Sequence, residues 1–369
     1  MSLILLLWLF TIPLLANSLQ DVPDVRGYLI NCGAARPSDE VTIDGLKYIS
    51  DEGFTSVGNK TTLKNPDLLP ILSTLRYFPD PTARKHCYVF SVSKGEKYML
   101  RTTYYYGGFD GGKVPPVFDQ IVDGTKWSVV NTTEDYANGL SSFYEIVVVA
   151  MGKTLSVCLA RNEKTVSSPF ISALELEYFE DSMYNTTDFS KYALGTVART
   201  SFGSEDDMIG NFYTNLNVTT SGVTVYATQW PLSGQTEIVL TPADGVPVGP
   251  MINAGEIFQL VPLGGRTLTR DVMVMEELAR NLNDPPSDWR GGDPCLPKEN
   301  SWTGVTCITK GKFARVVTVN LTSVGLSGSL PSCIANLTGL THLWLGGNNL
   351  SGTIPEMSSL KALQTLYAI

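Results

Sequence analysis

Ala173-Leu-Glu-Leu-Glu-Tyr178 is the stretch that decides the fold class of this 369-residue chain. Apolar and acidic residues alternate strictly in it, so the leucines share one face and the glutamates the other. This alternation is typical of a β-strand with one buried face. Residues 97–106 and 145–150 are also of strand length and rich in β-branched or aromatic side chains. Residues 26–182 show no helical period of useful length, and we predict a mainly β fold there, an antiparallel β-sandwich of the jelly-roll type.

After this region, the spacing of apolar residues changes once, from strand-like to helical. Residues 183–266 are again strand-like, whereas residues 268–282 carry apolar side chains at helical spacing. Asn283-Asp-Pro-Pro-Ser287 then ends the helical pattern. We therefore predict a single helix that links the β region to the last part of the chain.

An internal repeat of about 24 residues occupies the last part of the sequence. Leu326-Ser-Gly-Ser-Leu-Pro331 recurs as Leu350-Ser-Gly-Thr-Ile-Pro355. The spacing of leucines and of Asn348 between these two segments is that of a leucine-rich repeat. Such repeats stack as a short α/β solenoid whose strands line one face. Residues 309–369 hold about two repeats and the start of a third, so we expect a truncated solenoid.

Composition and charge exclude several functional classes. Hydrophobic residues make up 43% of the chain and charged residues 17%, which argues against disorder. The net charge of −9 argues against a nucleic-acid binder, which needs a basic face. With only two histidines, His86 and His342, an HExxH zinc site is absent. No kinase motif, nucleophile motif or phosphate loop occurs, so neither a cofactor nor a metal is expected.

Acidic side chains keep one enzymatic alternative open. A glycosidase needs two carboxylates at a fixed separation. Candidates in the β region are Asp110, Asp119, Asp123 and Glu134. Nothing in the sequence fixes their separation, and acidic loops are usually solvated turns, so we do not expect catalysis.

The N-terminus and the glycosylation sequons indicate the secretory pathway. Residues 1–18 form an apolar stretch that ends in small and polar residues, as signal peptides do. Seven Asn-x-Ser/Thr sequons come after it. They begin at Asn59, Asn131, Asn185, Asn217, Asn320, Asn336 and Asn349. We expect a glycosylated extracellular protein.

Several motifs together resemble the extracellular part of plant malectin-like/leucine-rich-repeat receptor kinases and their kinase-lacking relatives. These motifs are Ile30-Asn-Cys-Gly33, Leu75-Arg-Tyr-Phe-Pro79, Arg84-Lys-His-Cys-Tyr88, Tyr98-Met-Leu-Arg-Thr-Thr-Tyr-Tyr-Tyr-Gly107, Pro115-Pro-Val-Phe-Asp119, Trp127, Val157-Cys-Leu159, Ile171-Ser-Ala-Leu-Glu175 and Gly292-Asp-Pro-Cys295. The resemblance runs from about residue 26 to the end of the sequence. It implies a malectin-like domain over 26–182 and a leucine-rich-repeat N-terminal cap over 267–308.

Two features depart from that family. Its ectodomains usually hold two malectin-like modules, whereas residues 183–266 resemble only the later half of one. Longer relatives are anchored in the plasma membrane and often carry a kinase, and neither element is found in this sequence. We expect a truncated gene or splice product.

The resemblance also bears on the six cysteines. Cys295 and Cys307 match the pair that closes the N-terminal cap of plant leucine-rich repeats, which implies a disulfide there, with zinc binding as the weaker alternative. Cys32, Cys87 and Cys158 leave an odd number in the first domain. We favour Cys87–Cys158, although sequence alone does not determine connectivity. Cys333 is expected to be a lone thiol.

Two sets of aromatic residues are candidates for ligand binding. The first is Tyr104, Tyr105, Tyr106, Phe109 and Asp110, because sugar rings pack on aromatic planes and malectin itself binds a disaccharide with loop aromatics and an Asp. The alternative is that two of these tyrosines belong to the core.

The second set is His342 and Trp344, which we expect at outward positions of a repeat strand. An exposed Trp there could anchor a peptide or a partner ectodomain. The alternative is that it only shields the end of the repeats.

These observations lead to a noncatalytic extracellular recognition protein, receptor-like or a co-receptor. The expected partners are a cell-wall glycan or peptide ligand and a receptor-kinase ectodomain. A structural or decoy product that binds no ligand is the main alternative, and a carbohydrate-active enzyme is a distant one.

Overall fold

The computed structural model describes residues 27–367, except for 35–40, 44, 113, 181–182, 202–238, 240, 243, 246, 250, 251 and 253. The described chain is mainly β and forms two parts that contact each other. We call the first part the β-sandwich domain. The second part comprises the cap (residues 267–308) and the repeats after it.

Three sheets make up the β-sandwich domain. Its strands are β1 (Gly27–Asn31), β2 (Val41–Ile43), β3 (Leu46–Ser50), β4 (Asn59–Thr62), β5 (Thr74–Tyr77), β6 (His86–Ser91), β7 (Lys97–Tyr104), β8 (Phe118–Val122), β9 (Thr125–Val130), β10 (Ser142–Val149), β11 (Thr154–Arg161), β12 (Phe170–Ile171), β13 (Ala173–Phe179), β14 (Tyr192–Ser201) and β15 (Ala254–Pro262). Eight strands form one sheet in the order β15-β14-β10-β7-β13-β1-β3-β2. Four form a second sheet, β6-β11-β8-β9, and three form a third, β12-β5-β4. A short 3₁₀ helix (Pro70–Leu72) and helix α1 (Thr133–Ala137) lie in the connections.

Strand β13, whose alternation predicted the fold class, has one buried face as that alternation predicts. Leu174 and Leu176 of β13 are fully buried in the core between the sheets. Glu175 lies on the opposite face, where its carboxylate pairs with Arg101 at 2.9 Å and accepts a hydrogen bond from the hydroxyl of Tyr48. The alternation therefore separates the apolar core from a paired charge on the same strand.

Strands β14 and β15 continue the sheet of the β-sandwich domain. β14 pairs with β10 and with β15, all antiparallel. Our expectation assigned the whole of 183–266 to a partial second module, but the strands described there, β14 and β15, are two of the eight strands in the sheet of the β-sandwich domain. Strand spacing in the sequence does not specify a strand's partner, which explains the difference. Residues 202–238, where the later half of a second module was expected, lie outside the described residues.

The cap and the repeats form the second part. Their elements are β16 (Arg266–Thr267), helix α2 (Thr269–Asn281), β17 (Leu282–Asn283), β18 (Val305–Lys310), β19 (Phe313–Asn320), β20 (Ser327–Ser329), β21 (His342–Trp344), β22 (Asn349–Ser351) and β23 (Thr365–Tyr367). Short 3₁₀ helices span Ser287–Trp289, Lys298–Asn300 and Ser332–Asn336. Parallel pairing of β19, β21 and β23 builds the solenoid, and β18 joins β19 as an antiparallel hairpin. The helix expected over 268–282 is thus α2.

The leucines of the repeats enter a second core. Leu340 and Leu343 are fully buried, and helix α2 adds Met275 and Leu278 to the same cluster. Asn348 binds the turn, because its amide nitrogen donates to the carbonyl oxygens of Leu321 (2.6 Å) and Leu345 (2.7 Å). These contacts hold together the solenoid that the repeat pattern predicts.

In the described part of the chain, no helix is both long enough and apolar enough to cross a membrane.

Candidate functional site

The aromatic residues at the end of β7 and in the loop that follows do not converge on one surface. Tyr104 and Tyr106 are buried in the core, and Phe109 is partly buried against it. Tyr105 lies on the opposite face of the sheet, where it packs against a separate cluster that includes Ile71. The two buried rings are therefore not accessible to a sugar, as the alternative interpretation expected for two of the tyrosines.

The carboxylate of Asp110 is occupied by its own loop. It accepts hydrogen bonds from the hydroxyl of Tyr106 (2.5 Å), the amide of Gly112 (2.9 Å) and the hydroxyl of Ser167. Burial favours the neutral acid, but the bonds from Ser167 and Tyr106 prevail and lower the pKa of Asp110. The side chain thus fixes the loop, and a sugar hydroxyl would have to displace one of these partners.

The other candidate carboxylates have separate surroundings. Asp119 is buried and binds Lys126 (2.5 Å) and the amide of Asn162 (2.8 Å). Glu134 is exposed in helix α1. Among the residues that the structure describes, no three His, Cys, Asp or Glu side chains are grouped as metal ligands would be.

Both expected disulfides are present. Cys87 and Cys158 face each other across β6 and β11, and Cys295 joins Cys307 of β18 within the cap. All six cysteines lie in the described residues, and Cys32 and Cys333 are the two without a bridge.

The Cys87–Cys158 bridge lies at the contact between the β-sandwich domain and the cap, which we call the junction. The backbone of Gly292 passes so close that a Cβ there would lie 2.7 Å from Sγ of Cys87 and 3.0 Å from Sγ of Cys158. Gly292 also has a φ of +73°, which favours glycine. The glycine of the Gly292-Asp-Pro-Cys295 motif therefore permits close approach of the cap to the disulfide.

Lys85 connects the two parts at the same place. Its side chain is fully buried, and the ammonium donates to the carbonyl oxygens of Asp293 (2.5 Å) and Leu296 (2.8 Å) in the cap. Burial lowers the pKa of Lys85 to about 8, although the negative charges of Asp293 and Asp288 oppose the shift. The sequence offered no sign of this role, because the partners lie more than 200 positions away.

Further polar contacts extend the junction. Asp288 of the cap accepts from the backbone amide of Arg84 (3.2 Å), and Asn300 donates to the carbonyl of Arg84 (3.2 Å). Ser287 donates to the carboxylate of Asp80 at 2.6 Å. Polar groups of both parts are therefore paired with each other, which indicates a specific contact.

Two carboxylates, one from each part of the molecule, interact electrostatically at the junction. Asp293 accepts from the amides of Thr267 (2.7 Å), Cys295 (2.8 Å) and Leu296 (3.0 Å). Asp123, in the turn after β8, accepts from the amide of Ser156 at 2.8 Å. Burial raises the pKa of Asp123 to about 6; hydrogen bonds from Ser156 oppose the rise and the charge of Asp293 adds to it.

Aromatic side chains project from the repeat strands, as expected for His342 and Trp344. Both are half-buried, and their ring centroids are 5.4 Å apart. Their register partners on β23 are Thr365 and Tyr367, both exposed. We call the outward side chains of these two strands, His342, Trp344, Thr365 and Tyr367, the strand face.

A cleft lies on the other side of Trp344, towards the cap. It is open to solvent, has a volume of about 400 Å³ and is lined by residues from three parts of the chain. These include Arg84 of the β-sandwich domain, Lys298 and Thr306 of the cap, and Thr318, Asn320 and Trp344 of the repeats. We call it the junction cleft.

Comparison with known families agrees with this architecture. Residues 30–215, about half of the chain, match the malectin-like domain, and residues 271–308 match the leucine-rich-repeat N-terminal domain. The chain thus belongs to the malectin-like domain family, and a leucine-rich-repeat cap lies after that domain. The expected resemblance to plant malectin-like receptor kinases is confirmed.

Curated relatives come from Arabidopsis thaliana. A probable LRR receptor-like serine/threonine-protein kinase is 26% identical over 92% of this chain and 47% of its own length. A putative receptor-like protein kinase is 25% identical over 88% of this chain and 47% of its own length. The chain spans about half the length of the curated relatives it matches.

Solved structures of plant receptor-like kinases match this chain over about half of its length. The ANX1 ectodomain from Arabidopsis thaliana has 17% identity and a TM-score of 0.42, over 50% of this chain and 51% of its own. The plant receptor-like kinase FER has 20% identity and a TM-score of 0.39, over 48% of each chain.

Proposed function

We propose that this chain is the extracellular recognition part of a receptor-like protein, and that it binds a peptide or a partner receptor ectodomain through the strand face. The receptor-like assignment is supported by the curated relatives, which are receptor-like kinases matched over most of this chain. The sequence contains no kinase motif, so any signal would pass through a partner or a further segment.

The strand face is the single observation that carries the binding proposal. It combines a half-exposed histidine–tryptophan pair with an exposed tyrosine on a rigid parallel ladder, and none of its four side chains is an acid, lysine or arginine. Protein-binding surfaces are enriched in Trp and Tyr at their centres and depleted in charge. The aromatic residues between Tyr104 and Phe109 give less support to a sugar-binding site, because the rings of Tyr104 and Tyr106 are buried.

The test uses the full chain purified from plant cells, immobilised and exposed to a panel of secreted plant peptides and receptor-kinase ectodomains. Thr365→Arg places a long charged side chain on the strand face and is expected to abolish binding. Tyr367→Ala is expected to weaken it by about 30-fold or more, as removal of an exposed aromatic anchor does. Thr353→Arg is the matched control, because Thr353 is also exposed but comes after β22, which belongs to a different sheet.

Two results would contradict the proposal. A ligand that binds Thr365→Arg as well as the unchanged chain uses another surface. A folded, secreted chain that binds no member of the panel favours the decoy alternative.

A further inference from the structure

Asn320 lies in the junction cleft and is also the first residue of a glycosylation sequon. It ends strand β19, and its side chain is exposed beside Trp344, its register partner on β21. Thr322, which completes the sequon, is exposed too. Within the described residues the amide nitrogen of Asn320 has no hydrogen-bond partner, since the amide oxygen alone accepts from the backbone of Thr322 at 3.2 Å. The nitrogen that would carry a glycan is therefore accessible, and it donates no hydrogen bond to any described residue.

The position of Asn320 differs from that of the other described sequon asparagines. Six sequon asparagines are described and all are exposed, namely Asn59, Asn131, Asn185, Asn320, Asn336 and Asn349, while Asn217 lies outside the described residues. Of these six, Asn320 is the one that lines the junction cleft. A glycan on any of the others would start elsewhere on the surface.

We propose that an N-linked glycan on Asn320 occupies the junction cleft, with its first N-acetylglucosamine packed against Trp344. In the attachment step, Nδ2 of Asn320 forms a bond to C1 of the sugar. The bond between C1 and the phosphate of a lipid-diphosphate-linked oligosaccharide breaks, the lipid diphosphate leaves, and the amide loses one proton. The proposal rests on the entry into the secretory pathway that the proposed function requires.

The chemistry of the cleft suits a sugar that is tethered at Asn320. Asn320 and Trp344 are neighbours on adjacent strands, so a ring attached to one lies within reach of the indole of the other. Sugar C–H faces pack on aromatic planes, and hydroxyls need polar partners, which Lys298, Thr306 and Thr318 supply around the cleft. A cleft of about 400 Å³ is within the range of small-molecule sites, about 300–1,000 Å³.

Occupation of the cleft has a consequence for recognition. The glycan would contact the β-sandwich domain through Arg84, the cap through Lys298 and the repeats through Trp344, and would thus cover the seam between all three. β23 is not part of the cleft lining, so its side of the strand face stays open. A protein ligand would then approach the repeats from β23 and meet the glycan at the cap side.

The first measurement is site occupancy on the full chain, recovered from plant cells and medium together. Glycopeptide mass spectrometry is expected to find Asn320 occupied. The second measurement is hydroxyl-radical labelling of Trp344, which reports whether a sugar covers the indole. Trp344 is expected to be labelled several-fold more slowly in the glycosylated chain than in Thr322→Ala, which removes the sequon at an exposed side chain.

Three controls separate the glycan from other effects. Thr322→Ser changes the same side chain but keeps the sequon, and is expected to keep both occupancy and protection of Trp344. Thr187→Ala removes the sequon of Asn185 in the β-sandwich domain and is expected to leave Trp344 protected. Trimming all glycans to their first N-acetylglucosamine with an endoglycosidase is expected to preserve the protection, because that sugar is the one packed on Trp344.

An unoccupied Asn320 overturns the proposal, and so does an occupied Asn320 with Trp344 labelled as fast as in Thr322→Ala. Neither measurement involves a ligand, so failure here is distinguishable from failure of the strand-face binding test. If other sequons are occupied and Asn320 is not, this proposal alone fails. If no sequon is occupied, the extracellular assignment fails with it.

Discussion

At the scale of single residues, the least predictable feature is the set of charged groups buried at the junction. Lys85 occurs in the sequence as an ordinary basic residue, and such residues are usually exposed. It is buried because two carbonyl oxygens of the cap accept its hydrogen bonds. Those partners are remote in sequence, so no local pattern of charge or hydrophobicity can reveal them. Asp123 is similar in part: burial is the main cause of its raised pKa, and the charge of Asp293 from the cap adds to the rise.

Asp123 gives a prediction for the pH dependence of stability. Its folded-state pKa of about 6 is above the ordinary 3.8, so the folded state prefers the protonated acid. The stabilisation it gives is full below pH 3.8 and is lost as the pH rises through about 6. Asp123→Asn keeps an acceptor for the amide of Ser156 and stays neutral. We expect the variant to be more stable than the unchanged chain at pH 7.5, by roughly 1–3 kcal/mol.

Urea denaturation of both proteins at a series of pH values measures this difference. The two curves are expected to converge below pH 4, to separate between pH 4 and 6, and to run parallel above pH 6. Equal stabilities at pH 7.5 would show that solvent or a neighbouring cation already compensates the charge of Asp123.

At the scale of elements, the periodicity of the sequence predicted which side chains of a strand or repeat are buried. It did not predict which strands pair with each other. The alternation of Leu174 and Leu176 and the spacing of Leu340 and Leu343 specify which side chains are buried, and the structure agrees. The pairing of β14 with β10 could not be predicted, because hydrogen bonds between distant strands leave no periodic signal. Tyr104 shows the same limit, since its strand position is local but its burial depends on Phe118 and Phe170 from other strands.

The cap disulfide gives a prediction about the stability of the cap. Cys295 and Cys307 are 12 positions apart, and the bridge closes this loop next to the buried, stacked pair Trp289 and Trp302. Replacing both cysteines by alanine is expected to lower the free energy of unfolding by about 3 kcal/mol, because a free loop has more unfolded conformations. Urea denaturation followed by tryptophan fluorescence checks this. Cys333→Ala is the control, since that thiol is free and half-buried, and we expect a change below about 1 kcal/mol.

A loss below about 1 kcal/mol in the double variant would have a different meaning. The packing of Trp289 and Trp302 would then hold the cap closed without the bridge.

At the scale of the whole molecule, the junction makes the β-sandwich domain and the cap one continuous body. A buried lysine, a disulfide and several paired polar groups lie at this contact. Two domains joined only by a flexible linker would lack such interactions. The order of motifs in the sequence predicted both parts and placed the Gly292-Asp-Pro-Cys295 motif within the cap. It did not predict that the motif packs on the Cys87–Cys158 bridge, because this contact depends on the tertiary positions of the strands that carry those cysteines.

Gly292 tests whether this contact holds the molecule together. A methyl group there would meet the sulfurs of Cys87 and Cys158 at 2.7 and 3.0 Å, so Gly292→Ala is expected to force the cap away from the β-sandwich domain. Gly311→Ala is the matched control, because Gly311 has a similar φ of +67° but nothing within 4 Å of an added Cβ. Both variants carry the same backbone strain, of about 1–2 kcal/mol, and only the first adds a clash. Calorimetry should therefore show one transition for Gly311→Ala and two separated transitions for Gly292→Ala, with a larger radius of gyration by X-ray scattering. Identical behaviour of the two variants would mean that the two parts stay associated without this contact, and that Lys85 and the polar pairs suffice.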